Sequence, residues 1–532
     1  MFSRPFLSFV PAILLASFLT LFCNASSAQS QNALTVTTTA GRLRGIARAG
    51  GRAEFLGIPY AEPPIGKLRW HEPVPMKPWT GVHDALRFGA PCAQPDLGDW
   101  NRRDAEAGKE DCLFLNVIAP EWPVKKPLPV MFWIHGGANE GGTASSALYK
   151  DGALVRHGVI LVTVNYRLGI FGFLSHPELS AESPHHSSGD YGLMDQILAL
   201  HWVQDNIGRF GGDARNITVF GQSAGAIDTS LLMTSPLAKG LFSKAIGQSG
   251  ASLTEPLLTL DAAEHVGASL AQTLHAPPGN DQIKFLRTLP ATDVLAALAR
   301  TPTHSRVGPD IDGWVLPRQP GAIFASGEEA HIPLLYGTTT REFGSNQSVD
   351  QLRAMINLSA GSFAPKALAA YGLSNGGQGN SDAKYGTPAD QWLADVMFRC
   401  PGVTQGAWHA AAHNATYQYE LNHAIPGQEA QGAVHSADLP YVFGYYPKSG
   451  NISGSFTDVD TKLAELIETY WTNFASTGDP NGPGLPNWPQ QGATGTFIQF
   501  QQDGNVQTAN GLRKAQCDVY REWLSAKSQS GR

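Results

Sequence analysis

Cysteine is scarce in this chain, with five residues in 532. No Cys-x-x-Cys spacing accompanies them, which sets the zinc-type metal reading aside. An excess of basic residues is missing as well. Asp and Glu number 45 against 38 Lys and Arg, for a formal net charge of −7. With no basic stripe, nucleic acid is excluded as an expected partner. Heptads, internal repeats and low-complexity tracts do not occur, so coiled-coil and solenoid architectures are excluded too. One apolar run, near the start, raises the question of a membrane anchor.

The segment that carries it is "MFSRPFLSFVPAILLASFLTLFCNASSAQS". It has one early arginine, an apolar stretch from Pro11 to Cys23, and then small polar residues. This pattern predicts a secretory signal peptide over residues 1–28, cut after Ala28 with Ser26 at the −3 position. It is too short and wrongly flanked for a membrane anchor, and bulky Phe22 argues against lipidation at Cys23. The polar end "SAKSQSGR" carries no tail-anchor signal. The expectation is an exported, secreted or periplasmic protein with one domain over residues 29–532. Four cysteines would remain: Cys92, Cys112, Cys400 and Cys517. An even count in an exported chain suggests two disulfides, with three possible pairings.

What the chain does contain is strand-like and helix-like runs in alternation. "PVMFWIHGG" is followed by "VILVTVNYRLG". Next, "LMDQILALHWVQDNI" places Leu193, Ile197, Leu200 and Val203 at helical spacing. "ITVFG", "SKAIGQSG" and "IPLLYGTTT" read as further strands. Strands separated by helices predict an α/β fold, a mostly parallel sheet with helices on both faces. "GLSNGGQGNSD" reads as a surface loop, not a boundary.

Within this pattern "FGQSAGA" puts Ser223 between two glycines, directly after a buried-strand signature. Glycines weaken strands and helices unless the backbone must do something a Cβ forbids. A sharp strand-to-helix turn that lifts a serine off the sheet is such a case. In a chain with 57 glycines the motif also arises by chance, so partners are required. Parallel sheets place reactive groups at the carboxyl ends of their strands. "HGGA", His135 to Ala138, follows one strand. Glu342, in "TTREFG", follows another, and His435 stands later in "GAVHSADLPYVFG". The order serine, acid, histidine is that of the α/β-hydrolases. The chemistry needs these types. Histidine can take the hydroxyl proton, a carboxylate fixes its tautomer, and backbone N–H groups hold the oxyanion.

Longer motifs carry a family resemblance. "FGGDARNITVFGQSAG" (Phe210 to Gly225), "EDCLFLNV" (Glu110 to Val117), "VNYRLGIFGFL", "HSADLPYVFG" and "IDGWVLP" together resemble the type-B carboxylesterases. That family includes the cholinesterases and bacterial esterases acting on p-nitrobenzyl esters. The resemblance covers about Val36 to Leu524. It implies an α/β-hydrolase fold and hydrolysis of small-molecule carboxylic esters through an acyl-enzyme, without metal or other cofactor. By position, Ser223 resembles the nucleophile, Glu342 the acid and His435 the base. Gly137, Ala138 and Ala224 resemble the oxyanion donors, although the family usually has glycine where Ala138 stands. Ser249 resembles a serine placed near the acid. The resemblance also implies pairings of Cys92 with Cys112 and Cys400 with Cys517. In the chain-entropy model these loops stabilise by roughly 3 and 4 to 5 kcal/mol.

Departures from the family bear on substrate. Gln222 stands where cholinesterases carry glutamate, which removes a charge that would attract a cation. Trp100, near their choline-binding tryptophan, is followed by Arg102 and Arg103. Asn139 is expected to make the mouth of the site polar. Thr303 and Ser305, beside His304 and Arg306, stand where aromatics would narrow the acyl pocket; either the pocket is wider and more polar, or the loop is reshaped and these residues face solvent. Two other classes compete with an esterase. A non-catalytic binding relative would be expected to have lost a triad member, whereas all three are kept here. An amide hydrolase could use the same residues on a harder leaving group.

Overall fold

In the computed structural model the described residues are 34–150, 152–298 and 307–529. The segment containing the expected signal peptide, and Thr303, His304, Ser305 and Arg306, lie outside them. Among the described residues fifteen strands occur, thirteen of them in one sheet. They are β1 Leu34–Thr37, β2 Arg42–Ala47, β3 Ala53–Pro59, β4 Val82–Asp84, β5 Phe114–Ala119, β6 Leu128–Ile134, β7 Ile160–Val164 and β8 Gly212–Gln222. They continue with β9 Lys244–Gln248, β10 Leu258–Thr259, β11 Asp310–Ile311, β12 Leu334–Thr339, β13 Thr416–Leu421, β14 Thr496–Phe500 and β15 Val506–Asn510.

The sheet runs β1-β2-β3-β5-β7-β6-β8-β9-β12-β13-β14-β15, with β4 beside β2. Its centre is parallel from β7 through β6, β8, β9, β12 and β13 to β14. The flanks are antiparallel: β1 to β2, β2 to β3, β3 to β5 and β5 to β7 at one side, β14 to β15 at the other. Hairpin-type flanks need only short connections, whereas the central strands need crossovers.

Side-chain alternation divides the core in two. On β6, Val130, Phe132 and Ile134 enter one buried cluster, while Met131 and Trp133 enter another. β7 does the same with Ile160, Val162 and Val164 against Leu161. Both faces are therefore apolar, as a sheet covered by helices on each side requires. The helix Tyr191–Asn206 supplies Leu193, Ile197, Leu200 and Val203 to the first cluster. The helix Asp458–Thr477 supplies Leu463, Ile467, Tyr470, Trp471 and Phe474 to the second. Thr457 and Asp460 form a capping box at its start and Gly478 ends it at φ 83°.

Disulfides join Cys92 to Cys112 and Cys400 to Cys517. The second ties the helix Cys400–Ala411 to the helix Lys514–Gln529.

Candidate active site

Four chain segments meet where the parallel strands end. β8 stops at Gln222 and the helix Ala224–Thr234 begins two residues later. Ser223 is the corner between them, at φ 56° and ψ −126°. A non-glycine residue in that region is strained and persists only when its surroundings dictate it. They do so here. The Ser223 N–H donates to the Gln248 carbonyl at 2.8 Å, and the Ser223 carbonyl accepts from Ala226 and Ile227 at 2.9 and 3.0 Å. The glycines fit the same demand. A Cβ on Gly221 would stand 2.3 Å from the Gly225 oxygen, and one on Gly225 would stand 2.1 Å from the Ile134 oxygen. Gly250 meets the Ser223 oxygen just as closely, at 2.3 Å. Among the described residues no hydrogen bond is recorded for the Ser223 hydroxyl.

Glu342 follows β12, is 1 % exposed, and has both oxygens engaged. Its Oε1 accepts from the Ser249 hydroxyl at 2.8 Å and from the Thr339 N–H at 2.8 Å. Its Oε2 lies 2.6 Å from Nδ1 of His435. The two residues are also joined through the backbone, since the His435 N–H donates to the Glu342 carbonyl at 2.6 Å. An adjacent bridge between Arg341 and Val434 continues that pairing. We assign the proton to Nδ1, so Nε2 is left as the acceptor. Nε2 faces the Gln222 amide nitrogen at 3.2 Å.

The loop after β6 carries His135, Gly136, Gly137 and Ala138. A Cβ on Gly136 would stand 2.5 Å from the Gln222 oxygen, so this loop packs directly on the end of β8. Gly137 has φ 122°, and Ala138 and Asn139 follow at 57° and 56°. Two consecutive left-handed non-glycines are uncommon, and alanine bears a cost of about 1 to 2 kcal/mol there. Among the described residues the N–H groups of Gly137, Ala138 and Ala224 have no recorded acceptor. His135 itself is buried and stacks on Tyr166 at 4.6 Å. Burial pushes its pKa down to about 4, so the ring is neutral.

Asn139 corrects an expectation. It does not make the mouth polar, because its side chain is buried, with 6 % of the residue exposed. Its Nδ2 donates to Asp228 at 2.8 Å, and its Oδ1 accepts from Tyr166 at 3.0 Å. Asp228 also accepts from Gln196 at 2.6 Å. Burial raises the Asp228 carboxyl to about 7, against the opposing pull of those two amides. Asn139 therefore ties the loop after β6 to the helix behind Ser223. Gln222, expected at the pocket, is 3 % exposed and reaches the site through its amide on His435.

Other neighbours were not read from the sequence. Phe343 and Phe398 flank the His435 ring at 4.5 and 4.7 Å. Phe343, 41 % exposed, follows Glu342 directly, and that adjacency was the available signal. Asp438, three residues after His435 at the start of the helix Leu439–Phe443, is buried and accepts from Gln248 and Tyr419. Its carboxyl is raised by burial. Trp100 is 54 % exposed, and its indole edge lies 3.1 Å from where a Cβ on Gly137 would be. The spacing His409-x-x-x-His413 forms no metal pair: the His409 ring nitrogens meet Glu329 Oε1 at 2.7 Å and the Ile332 carbonyl at 2.8 Å.

Residues 32–520 match the model of the carboxylesterase family. The chain belongs to that family. It is 35 % identical over 478 residues to a fumonisin B1 esterase of Sphingopyxis macrogoltabida, covering 87 % of this chain and 85 % of the relative. It is 36 % identical over 479 residues to a para-nitrobenzyl esterase of Bacillus subtilis, covering 85 % and 92 %. A solved PNB esterase superposes with a TM-score of 0.79 at 33 % identity, over 92 % of this chain and 99 % of the other. This carboxylesterase accordingly has the α/β-hydrolase fold and is a carboxylic ester hydrolase, acting on small-molecule esters.

Proposed function

We propose that this carboxylesterase works through an acyl-enzyme on Ser223, with His435 as base and Glu342 as the acid behind it. The observation that carries the reading is the 2.6 Å contact between Glu342 Oε2 and His435 Nδ1, on a carboxylate whose other oxygen is already pinned. That arrangement holds the imidazole in the tautomer whose Nε2 accepts a proton. As Ser223 Oγ attacks the ester carbon, its proton passes to Nε2 and the carbonyl electron pair moves onto oxygen. The oxyanion is received by the N–H groups of Gly137, Ala138 and Ala224. Each such donor typically contributes about 10² to 10³ in rate. Collapse of the intermediate breaks the bond to the alcohol oxygen, which takes the proton from Nε2. Water then attacks the acyl-enzyme by the same route, and the acid leaves. Catalytic hydrogen bonds are often long before substrate binds, so the Gln222 amide on Nε2 gives way to the serine as the complex forms.

The neutral Gln222 makes choline esters poor substrates. Relatives named for fumonisin B1 and para-nitrobenzyl esters support a preference outside the choline esters. Thr303, Ser305 and Arg306 belong to this proposal as residues of a wider, more polar acyl pocket that tolerates carboxylated acyl groups. Two disulfides and the residue 1–28 pattern support export, with residues 29–532 as one mature domain. Among the described residues no helix is long and apolar enough to cross a membrane.

The test is labelling with a fluorophosphonate and peptide mapping, alongside p-nitrophenyl acetate turnover. We expect one adduct, on Ser223, and no turnover in Ser223→Ala with its melting temperature kept. An adduct on another residue, or wild-type turnover in the variant, overturns the assignment.

A further inference from the structure

The three N–H groups assigned to the oxyanion come from two separate segments. Gly137 and Ala138 lie on the loop after β6, whereas Ala224 opens the helix Ala224–Thr234. A hole assembled from two segments works only if the distance between them is held.

The loop half is not held by its own conformational preference. Ala138 and Asn139 sit at left-handed φ values of 57° and 56°. Alanine takes that region poorly. Asparagine takes it more readily, because its short side chain can hydrogen-bond to nearby backbone. Asn139 does not spend its side chain that way. Its Nδ2 reaches Asp228, 89 residues on, and donates to Oδ1 at 2.8 Å. Its Oδ1 lies 3.0 Å from the Tyr166 hydroxyl, which also lies 2.8 Å from the His135 carbonyl. Its own carbonyl accepts from the Gly169 N–H at 2.6 Å. The loop is gripped from three sides directly after its last donor.

Asp228 stands four residues after Ala224, so the two share one face of the helix. It is fully buried, and its Oδ2 accepts from Gln196 of the helix Tyr191–Asn206 at 2.6 Å. Among the described residues no ion pair is recorded for it. A buried carboxylate without a cation costs stability. What this one supplies is position, since it joins the loop donors to the helix that carries the third.

We propose that Asn139 and Asp228 are a positioning pair that sets the spacing of the oxyanion hole, tying the Gly137 and Ala138 donors to the Ala224 donor. The inference rests on the reading of those three N–H groups as oxyanion donors. The charge they serve develops only as Ser223 Oγ adds to the ester carbon. Loss of the pair therefore acts on kcat and leaves KM nearly unchanged.

Kinetics on p-nitrophenyl acetate and inhibition by hexyl trifluoromethyl ketone test this. In the ketone adduct Ser223 Oγ bonds to the carbonyl carbon, the carbonyl electron pair moves onto oxygen, and the hydroxyl proton goes to His435 Nε2. The affinity of the ketone thus reads the hole itself. Asn139→Ala and Asp228→Ala should each lower kcat about 10²-fold, the loss typical of one misplaced donor, and weaken the ketone about as far. KM should stay within about threefold of the wild-type value. Because the two side chains act as one unit, the double variant should lose little more than either single one. Asp228→Asn should keep most of the rate. Its new amide oxygen still accepts from Asn139, and the Gln196 Oε1, without a partner among the described residues, can turn to its nitrogen.

Three results would overturn the pair while a fluorophosphonate adduct on Ser223 still stands. They are a lower melting temperature with kcat kept, ketone affinity unchanged in both single variants, and an Asp228→Asn as impaired as Asp228→Ala. A ketone that fails to inhibit the unmutated chain would overturn the oxyanion reading, and the pair with it. The two ends of the bond are replaced separately, so the proposal stays testable if Asp228→Ala does not fold.

Discussion

The corner around Ser223 and the helical wall around an apolar cavity of about 1000 Å³, lined by Met355, Phe363, Met397 and Trp523 beside the Cys400–Cys517 disulfide, are built by opposite means. At the corner, backbone touches backbone. Gly221, Gly225, Gly250 and Gly136 each stand where a Cβ would fall within 2.5 Å of a main-chain oxygen. Ser223, Ala138, Asn139 and Ser249 hold left-handed φ values within the same few segments. Around the cavity the walls are side chains, several of them long and flexible, and the space between is open. Chemistry that must place atoms to a fraction of an ångström is set on main chain, which cannot rotate away. A surface that only excludes water tolerates softer walls.

The largest break in this contrast comes from Glu342→Gln. It keeps the shape of the corner but spoils the imidazole tautomer, so kcat should fall about 10⁴-fold with a much smaller change in KM. Steady-state kinetics on a neutral butyrate ester checks this, and a loss confined to KM would count against Glu342 as the acid. Next, the two regions should differ in stability. Gly225→Ala forces a methyl group into the Ile134 carbonyl and should cost 3 kcal/mol or about that, the upper range for overpacking, whereas Met355→Leu should cost less than about 1.5 kcal/mol. Urea unfolding of both variants makes the comparison, and equal costs would erase it.

A third, pH-dependent effect belongs to the corner alone. Asp228 is raised to about 7 by burial. Its folded pKa lies above its unfolded one, so the folded state binds the extra proton. Stability is fully present below about pH 4, falls as pH climbs, and levels off above about pH 7. Asp228→Asn removes that titration. Its melting temperature relative to wild type should therefore improve between pH 4 and pH 7 and then stay level; a pH-independent difference would contradict the burial argument. The smallest effect expected is from Gln222→Glu. A carboxylate beside Nε2 favours the protonated imidazole, so the acid limb of kcat/KM should move up by about one pH unit. The ratio of butyrylcholine to neutral butyrate turnover should rise with it. An unmoved limb would place the Gln222 side chain away from His435 during turnover.

Local chemistry was readable in the chain wherever one segment carries it. The run of buried-strand residues ending in Gly-x-Ser-x-Gly specifies a corner, because only a chain lacking Cβ atoms at Gly221 and Gly225 can make it. Apolar alternation and helical spacing specify the parallel core. Three short strands were less visible, since β4, β10 and β11 are two or three residues long and carry no periodicity. Tertiary structure alone decided the contacts between distant segments. It put Asn139 behind the loop on Asp228 and turned Gln222 onto His435. It set Phe398 against a ring 37 residues later in the chain, and opened a cavity among helices that share no motif. The physical reason is that backbone conformation is dictated by neighbours in sequence. The partner of a buried side chain depends on which elements the whole sheet brings alongside it, and no single stretch of residues encodes that.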